Sequence, residues 1–257
     1  MPRPSSPSPP LERHRLDVGG ARVHFQTGGS GDPVVLVHGL SGSGRWWRRN
    51  VAALARQFRV FVVDLVGFGR SRGPFVLAEA ADVLAVWMGR LGLARAHVVG
   101  HSMGGYIAAA LAVEAPERVG RLVLVDAAAF PLGWRPVRHA VRLVRAVRYM
   151  PPTFLPVLAA DALRAGPRTL LRAAREVVDT DLGARCGQVR APALVVWGEH
   201  DRVVPPAVGE RLAACLPDGE LAVIGGAGHN PMWDRPEAFN RVVLGFLTRG
   251  AAGPGAP

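Results

Sequence analysis

Acyl transfer needs a hydroxyl nucleophile, a base to deprotonate it and a carboxylate to orient the base. The chain carries a candidate for each, and glycines lie close by. The hydroxyl is Ser102, in Val98-Val99-Gly100-His101-Ser102-Met103-Gly104-Gly105-Tyr106. A β-branched pair leads into Gly-x-Ser-x-Gly, and a small apolar run, Ile107 to Ala112, follows it. That is the strand–turn–helix context of a nucleophile elbow, where a tight turn lifts the serine oxygen clear of the sheet edge. Gly100 and Gly104 flank the serine because such a turn excludes bulky neighbours.

The base candidate is His229, in the Gly-rich loop Gly225-Gly226-Ala227-Gly228-His229-Asn230-Pro231 after the last strand-like run. Its rivals have other expected work. His101 adjoins Ser102 on the turn and points elsewhere, His38 orients its own loop, and His200 neighbours an acid candidate. His14, His24, His97 and His139 lie on early strands, at a strand start or in the central insertion. Two carboxylates end buried strands, Asp126 and Asp201. Asp201 is favoured because the order Ser…Asp…His suits an elbow on an α/β sheet; Asp126 is expected to begin the insertion. The oxyanion of a tetrahedral intermediate would be held by two backbone N–H groups. One is that of Met103, at a helix N-terminus; the other is that of Leu40, after Val34–Val37. Phe130, Trp134, Phe154, Trp197 and Met232 are the pocket candidates.

The elements that must position these groups follow from periodicity. Arg15 to Val18 and Val23 to Gln26 predict a hairpin across Gly19-Gly20. Val34–Val37, Val60–Val63, Leu122–Val125 and Ala193–Trp197 read as buried strands, His97–Val99 as the strand before the elbow and Leu221–Ile224 as a last strand. Helical patterns over 46–58, 78–91, 103–114, 207–216 and 236–248 lie between and after them. Such alternation predicts an α/β fold with a parallel sheet covered on both faces. Ligands then sit beyond the carboxyl ends of the strands. His38-Gly39-Leu40, Asp64, Ser102 and Asp126 all fall there.

The alternation breaks at Phe130. Residues 130–186 read as a helical cap, with helices over 135–150, 155–163 and 169–178. In the first, Val137, Val141, Val144 and Val147 share one face and are expected to pack inward. Arg135, Arg138, Arg142, Arg145 and Arg148 share another. A basic amphipathic helix can also lie on an anionic membrane, the second role open to it. Residues 15–129 and 187–248 form the expected core; 1–14 and 249–257 are expected tails.

The 257 residues suffice for one domain with an insertion. Net charge is +11, all 31 basic residues are arginine, and there is no lysine. No nucleic-acid-binding motif accompanies the arginines, so nucleic acid is not an expected partner. No apolar run is long enough to span a membrane, and the Pro/Ser-rich start does not read as a signal peptide. Cys186 and Cys215 lack metal-ligand spacing and are expected as reduced thiols in a cytoplasmic protein.

Together these segments resemble the α/β-hydrolase superfamily, in particular its small capped esterase-like branch. The resemblance is carried by His38-Gly39-Leu40, Asp64-Leu65-Val66-Gly67-Phe68-Gly69-Arg70-Ser71, the Ser102 elbow, Gly198-Glu199-His200-Asp201-Arg202-Val203-Val204-Pro205, Gly228-His229-Asn230-Pro231 and Pro236-Glu237-Ala238-Phe239. It implies a mostly parallel eight-stranded sheet, a Ser102–His229–Asp201 triad, and neither metal nor organic cofactor. Dehalogenases and epoxide hydrolases of this fold use an aspartate nucleophile, so serine at 102 argues against both. The expected activity is cleavage of small apolar carboxylic esters through an acyl-enzyme. The alternatives on the same triad are carbon–carbon bond hydrolysis of diketones, lactonase, thioesterase and perhydrolase chemistry. Carbon–carbon hydrolases of this kind often use a cap arginine for the substrate carboxylate.

Overall fold

Every buried strand ends at a loop that carries a polar site candidate, and strand order decides which of them meet. The computed structural model describes residues 11–133 and 135–249. The strands are β1 (Glu12–Val18), β2 (Ala21–Gly28), β3 (Pro33–Val37), β4 (Arg59–Val63), β5 (Ala96–His101), β6 (Val119–Val125), β7 (Ala193–Gly198) and β8 (Gly219–Ile224). They form one eight-stranded sheet in the order β1-β2-β4-β3-β5-β6-β7-β8. β1 and β2 pair antiparallel with Val18 opposite Ala21, and β2 joins β4 antiparallel. All later pairings are parallel. The hairpin strands run longer than expected. Glu12 to His14 pair in β1, so that part of the expected tail is strand; residues 1–10 and 250–257 lie outside the described residues.

Alternate residues of the parallel strands feed two cores. Val35, Val37, Val98, Leu122, Leu124 and Val195 pack on one face. They meet α2 (Ala80–Arg90), α3 (Met103–Glu114) and α7 (Pro206–Cys215). Val34, Leu36, Val99, Val123, Val125 and Val196 pack on the other. They meet α1 (Val51–Leu54), α8 (Pro231–Asp234) and α9 (Pro236–Leu247). Burial on both faces is why these strands are continuous Val/Leu runs. The expected helix over 46–58 is instead two short pieces, a 3-10 turn at Gly44–Trp47 and α1. Asn50 sits between them, and its amide is committed to the Met232 carbonyl and to Asn240.

The insertion holds α4 (Pro136–Val147), α5 (Leu155–Ala165) and α6 (Pro167–Val178). It is pinned to the core at a few points. Phe154 is fully buried between Trp46 and Trp233. Asp161 accepts from Ser43 Oγ at 2.8 Å and pairs with Arg45 at 2.6 Å. The valine stripe of α4 departs from expectation: Val137 and Val144 are 78% and 74% exposed, and Val141 and Val147 are also exposed. Among the described side chains of α4, Ala146, on the far side of the helix from Val144, is buried. The two cysteines also depart from expectation. Cys186 and Cys215 form a disulfide, because the return from the insertion packs beside the end of α7.

Candidate active site

The elbow is built by close backbone approach. Ser102 has φ 52° and ψ −116°, a left-handed conformation that costs a non-glycine residue free energy unless its surroundings impose it. They do. Ser102 N–H donates to the Val125 carbonyl, and the Ser102 carbonyl accepts from Gly105, Tyr106 and Ala128. A Cβ on Gly104 would lie 2.5 Å from the His38 carbonyl oxygen, and one on Gly100 would collide with the Gly104 carbonyl. Glycine at both positions lets α3 start against the ends of β3 and β5.

The three side chains predicted from types and order meet there. His229 Nε2 lies 3.1 Å from Ser102 Oγ, and His229 Nδ1 lies 2.7 Å from Asp201 Oδ2. Asp201 Oδ1 accepts from the amides of Val203 and Val204. Ionised Asp201 can only accept at Nδ1, so the imidazole proton sits there and Nε2 is free to take the serine proton. Asp201 is fully buried, whereas the His229 side chain is 13% exposed, so the imidazole reaches solvent while its carboxylate partner does not.

The loop after β3 lies alongside. An ideal Cβ on Gly39 would be 3.1 Å from Ser102 Cβ, which places Leu40 next to Ser102. Among the described residues neither the Leu40 nor the Met103 amide donates to a backbone carbonyl. His38 fixes this loop as expected. Its Nε2 accepts from the Leu65 amide at 3.0 Å and its Nδ1 donates to the Gly39 carbonyl at 2.8 Å. Burial holds His38 below the usual imidazole range, so it keeps that neutral form. Asp64 braces the same loop, accepting from Gly44 and Arg70 amides and from His24. Burial pushes its carboxyl up, but the His24 bond and nearby donors outweigh this and hold it low.

Other candidates take packing roles. His101 faces away from Ser102, with Nε2 2.7 Å from the His229 carbonyl. Burial, then the neighbouring His229, depresses it well below its ordinary value. Trp197 is core between β7 and α7, donating to the Val204 carbonyl and stacked under Gly209. Met232 is buried in the second core. Phe130 lies under the Arg211 guanidinium at 3.8 Å, and Phe154 pins the cap. These four, expected as pocket wall, are each more than nine-tenths buried. Trp134 lies outside the described residues.

Two features escaped the sequence. Trp46 packs between His101, at a tilt, and Phe154, edge to face, joining site to cap. Asp126 does not simply start the insertion; it sits behind the triad, fully buried, with φ 41°. No local pattern announces either. Asp126, Asp201 and His229 each bring a ligand atom within 4.8 Å of the others. As a metal site the set is poor, because Asp201 and His229 already spend those atoms on each other and on amides.

A serine on a strained elbow, an oriented imidazole and two unspent amides at the carboxyl edge of a parallel sheet define a fold built for nucleophilic hydrolysis. The chain belongs to the alpha/beta hydrolase family, whose model matches residues 34–242. It is 36% identical to a 2-hydroxy-6-oxononadienedioate/2-hydroxy-6-oxononatrienedioate hydrolase of Burkholderia vietnamiensis, over 89% of this chain and 91% of the relative. Among solved structures, Est816, an N-acyl homoserine lactone degrading enzyme, superposes with TM-score 0.83 at 29% identity, covering 91% of this chain and 100% of that one. A thermophilic esterase from Thermogutta terrifontis superposes with TM-score 0.80 at 28% identity, covering 93% and 98%.

Proposed function

We propose that this hydrolase cleaves a carbon–carbon bond beside a ketone in a conjugated, carboxylate-bearing diketone, with Ser102, His229 and Asp201 as its catalytic residues. This reverses the order of the sequence reading, which put simple esters first. The observation that carries it is the near full-length similarity to a dienedioate hydrolase. The hydrogen-bonded chain from Ser102 through His229 to Asp201 supports the catalytic roles.

Ser102 adds to the ketone carbonyl as His229 takes its proton, and the oxyanion rests on the Leu40 and Met103 amides. The carbon–carbon bond then breaks. In the diketo tautomer its electron pair passes into the conjugated system, so the leaving group is a dienolate whose charge ends on oxygen and which takes up the proton held by His229, returning the imidazole to its free-base form. Water, deprotonated by His229, releases the acyl group from Ser102. Asp201 stabilises the imidazolium in both halves. An arginine-rich insertion is suited to a substrate carboxylate. Ester or lactone cleavage is the second reading, favoured by the superposition on Est816 over the whole of that chain.

Rates on 2-hydroxy-6-oxononadienedioate, p-nitrophenyl butyrate and an N-acyl homoserine lactone separate the readings. The dienedioate is expected to exceed both others in kcat/KM by about 100-fold, the discrimination of roughly 3 kcal/mol that a bound carboxylate can supply. An ester or lactone turned over faster than the dienedioate would overturn it.

A further inference from the structure

The triad leaves one buried group unused. Asp126 closes β6 with its carboxyl sealed from solvent. Its Oδ1 accepts from the Gly198 amide at 3.0 Å, while Oδ2 has no donor among the described residues. Asp201 lies beside it, at the end of the neighbouring strand β7. A carboxylate oxygen buried without a donor costs several kcal/mol if charged. Two adjoining buried carboxyls resolve this by sharing one proton.

We propose that Asp126 is a positioning residue that stays protonated and donates a hydrogen bond from Oδ2 to Asp201, so that the pair presents a single negative charge to His229. This deepens the hydrolase reading and rests on it. Asp201 has room, since a carboxylate offers about four acceptor sites and the amides of Val203 and Val204 and His229 use three.

The surroundings agree. Burial, followed by the Asp201 charge, pushes the Asp126 carboxyl well above the usual range; the Gly198 amide opposes, and a hydrogen bond with Asp201 and the charge of Asp234 on α8 add to the rise. Among the described residues His229 also faces the pair, and His101 packs against His229. Burial keeps His101 neutral, so it offers Asp126 no counter-charge. Were Asp126 ionised, two charges would grip the His229 imidazolium and remove the free base at neutral pH. Held neutral, Asp126 instead fixes Asp201 and disperses part of its charge.

The test is the rate of Ser102 modification by a fluorophosphonate across pH, which needs no known substrate. Asp126→Gly fits the positive φ but removes the donor. It is expected to slow modification about tenfold or more, and to move the acid limb to higher pH, because an unshared Asp201 charge holds the imidazolium more tightly. Asp126→Asn is expected to restore the rate to within about threefold. Its Oδ1 can accept from Gly198 and its Nδ2–H can donate to Asp201. A second readout covers a glycine variant that fails to fold: at pH 8 the wild type should show the infrared carbonyl band of a protonated carboxyl, lost in Asp126→Asn. An asparagine variant as slow as the glycine one, an unmoved acid limb in Asp126→Gly, or no such band would overturn the proposal. A wild type unmodified at Ser102 would instead overturn the hydrolase site on which it rests.

Discussion

The carboxyl edge of the sheet and the helical insertion were built under different rules. At the sheet edge Ser102 and Asp201 follow strands buried on both faces, and His229 follows the half-exposed edge strand β8. Ser102 is set by four backbone hydrogen bonds and two glycines, and His229 and Asp201 by adjacent parallel strands. The insertion meets the core through Phe154 among tryptophans, Asp161 on Ser43 and Arg45, Ala173 and Leu182 in the first core and Glu176 on the Leu77 amide, while the valine face of α4 stays exposed. A fold with this division can keep one chemistry while its insertion changes what reaches it.

The sharpest break of that comparison is Gly104→Ala. The new methyl meets the His38 carbonyl, which is backbone and cannot yield. The expected cost is about 3 kcal/mol of stability, read by urea unfolding, with activity lost as α3 is displaced from β3. A smaller contrast pits two valines against each other. Val123→Ala in the sealed second core should cost about 2 kcal/mol, while Val144→Ser on the exposed face of α4 should stay within about 0.5 kcal/mol. Equal losses would mean that α4 packs inward after all.

Asp161→Asn keeps an acceptor for Ser43 but removes the charge facing Arg45, which is itself 42% exposed and so only partly desolvated. KM for the preferred substrate should rise about five- to tenfold while kcat on a small p-nitrophenyl ester holds. A fall in kcat on both would mean that the pin shapes the reacting centre and not the cap alone.

The smallest effect concerns pH. Burial raises Asp234 to about 6, although its Oδ2 accepts from the Gly228 amide. A carboxyl raised on folding binds its proton more tightly in the native state. The stability it contributes is therefore full below about pH 4 and lost as pH rises through 6. Asp234→Asn keeps an acceptor for Gly228 without the charge. It should melt above the wild type at pH 8, with the gap closing towards pH 4. A gap that stays constant with pH would contradict this.

How much was legible follows the same divide. The Val/Leu strands, the elbow and the Asp201–His229 order could be read because burial on both faces and a tight turn demand those residue types locally. The cap helices could be found, but not how they face. Val137 to Val147 have the spacing of a core stripe, yet the stripe stays exposed while Phe154 and Asp161 engage Trp46, Trp233, Ser43 and Arg45, partners remote in sequence. The Cys186–Cys215 bond and the placing of Asp126 behind Asp201 also depend on contacts between distant segments.

The central claim is that one serine at the sheet edge performs the chemistry whatever the insertion admits. It is tested most directly by titrating the protein with a fluorophosphonate while following dienedioate and ester turnover, then mapping the adduct. The account predicts a single adduct on Ser102, with both activities falling in step with its occupancy. Dienedioate turnover that survives full modification of Ser102, or an adduct on another residue, would contradict it.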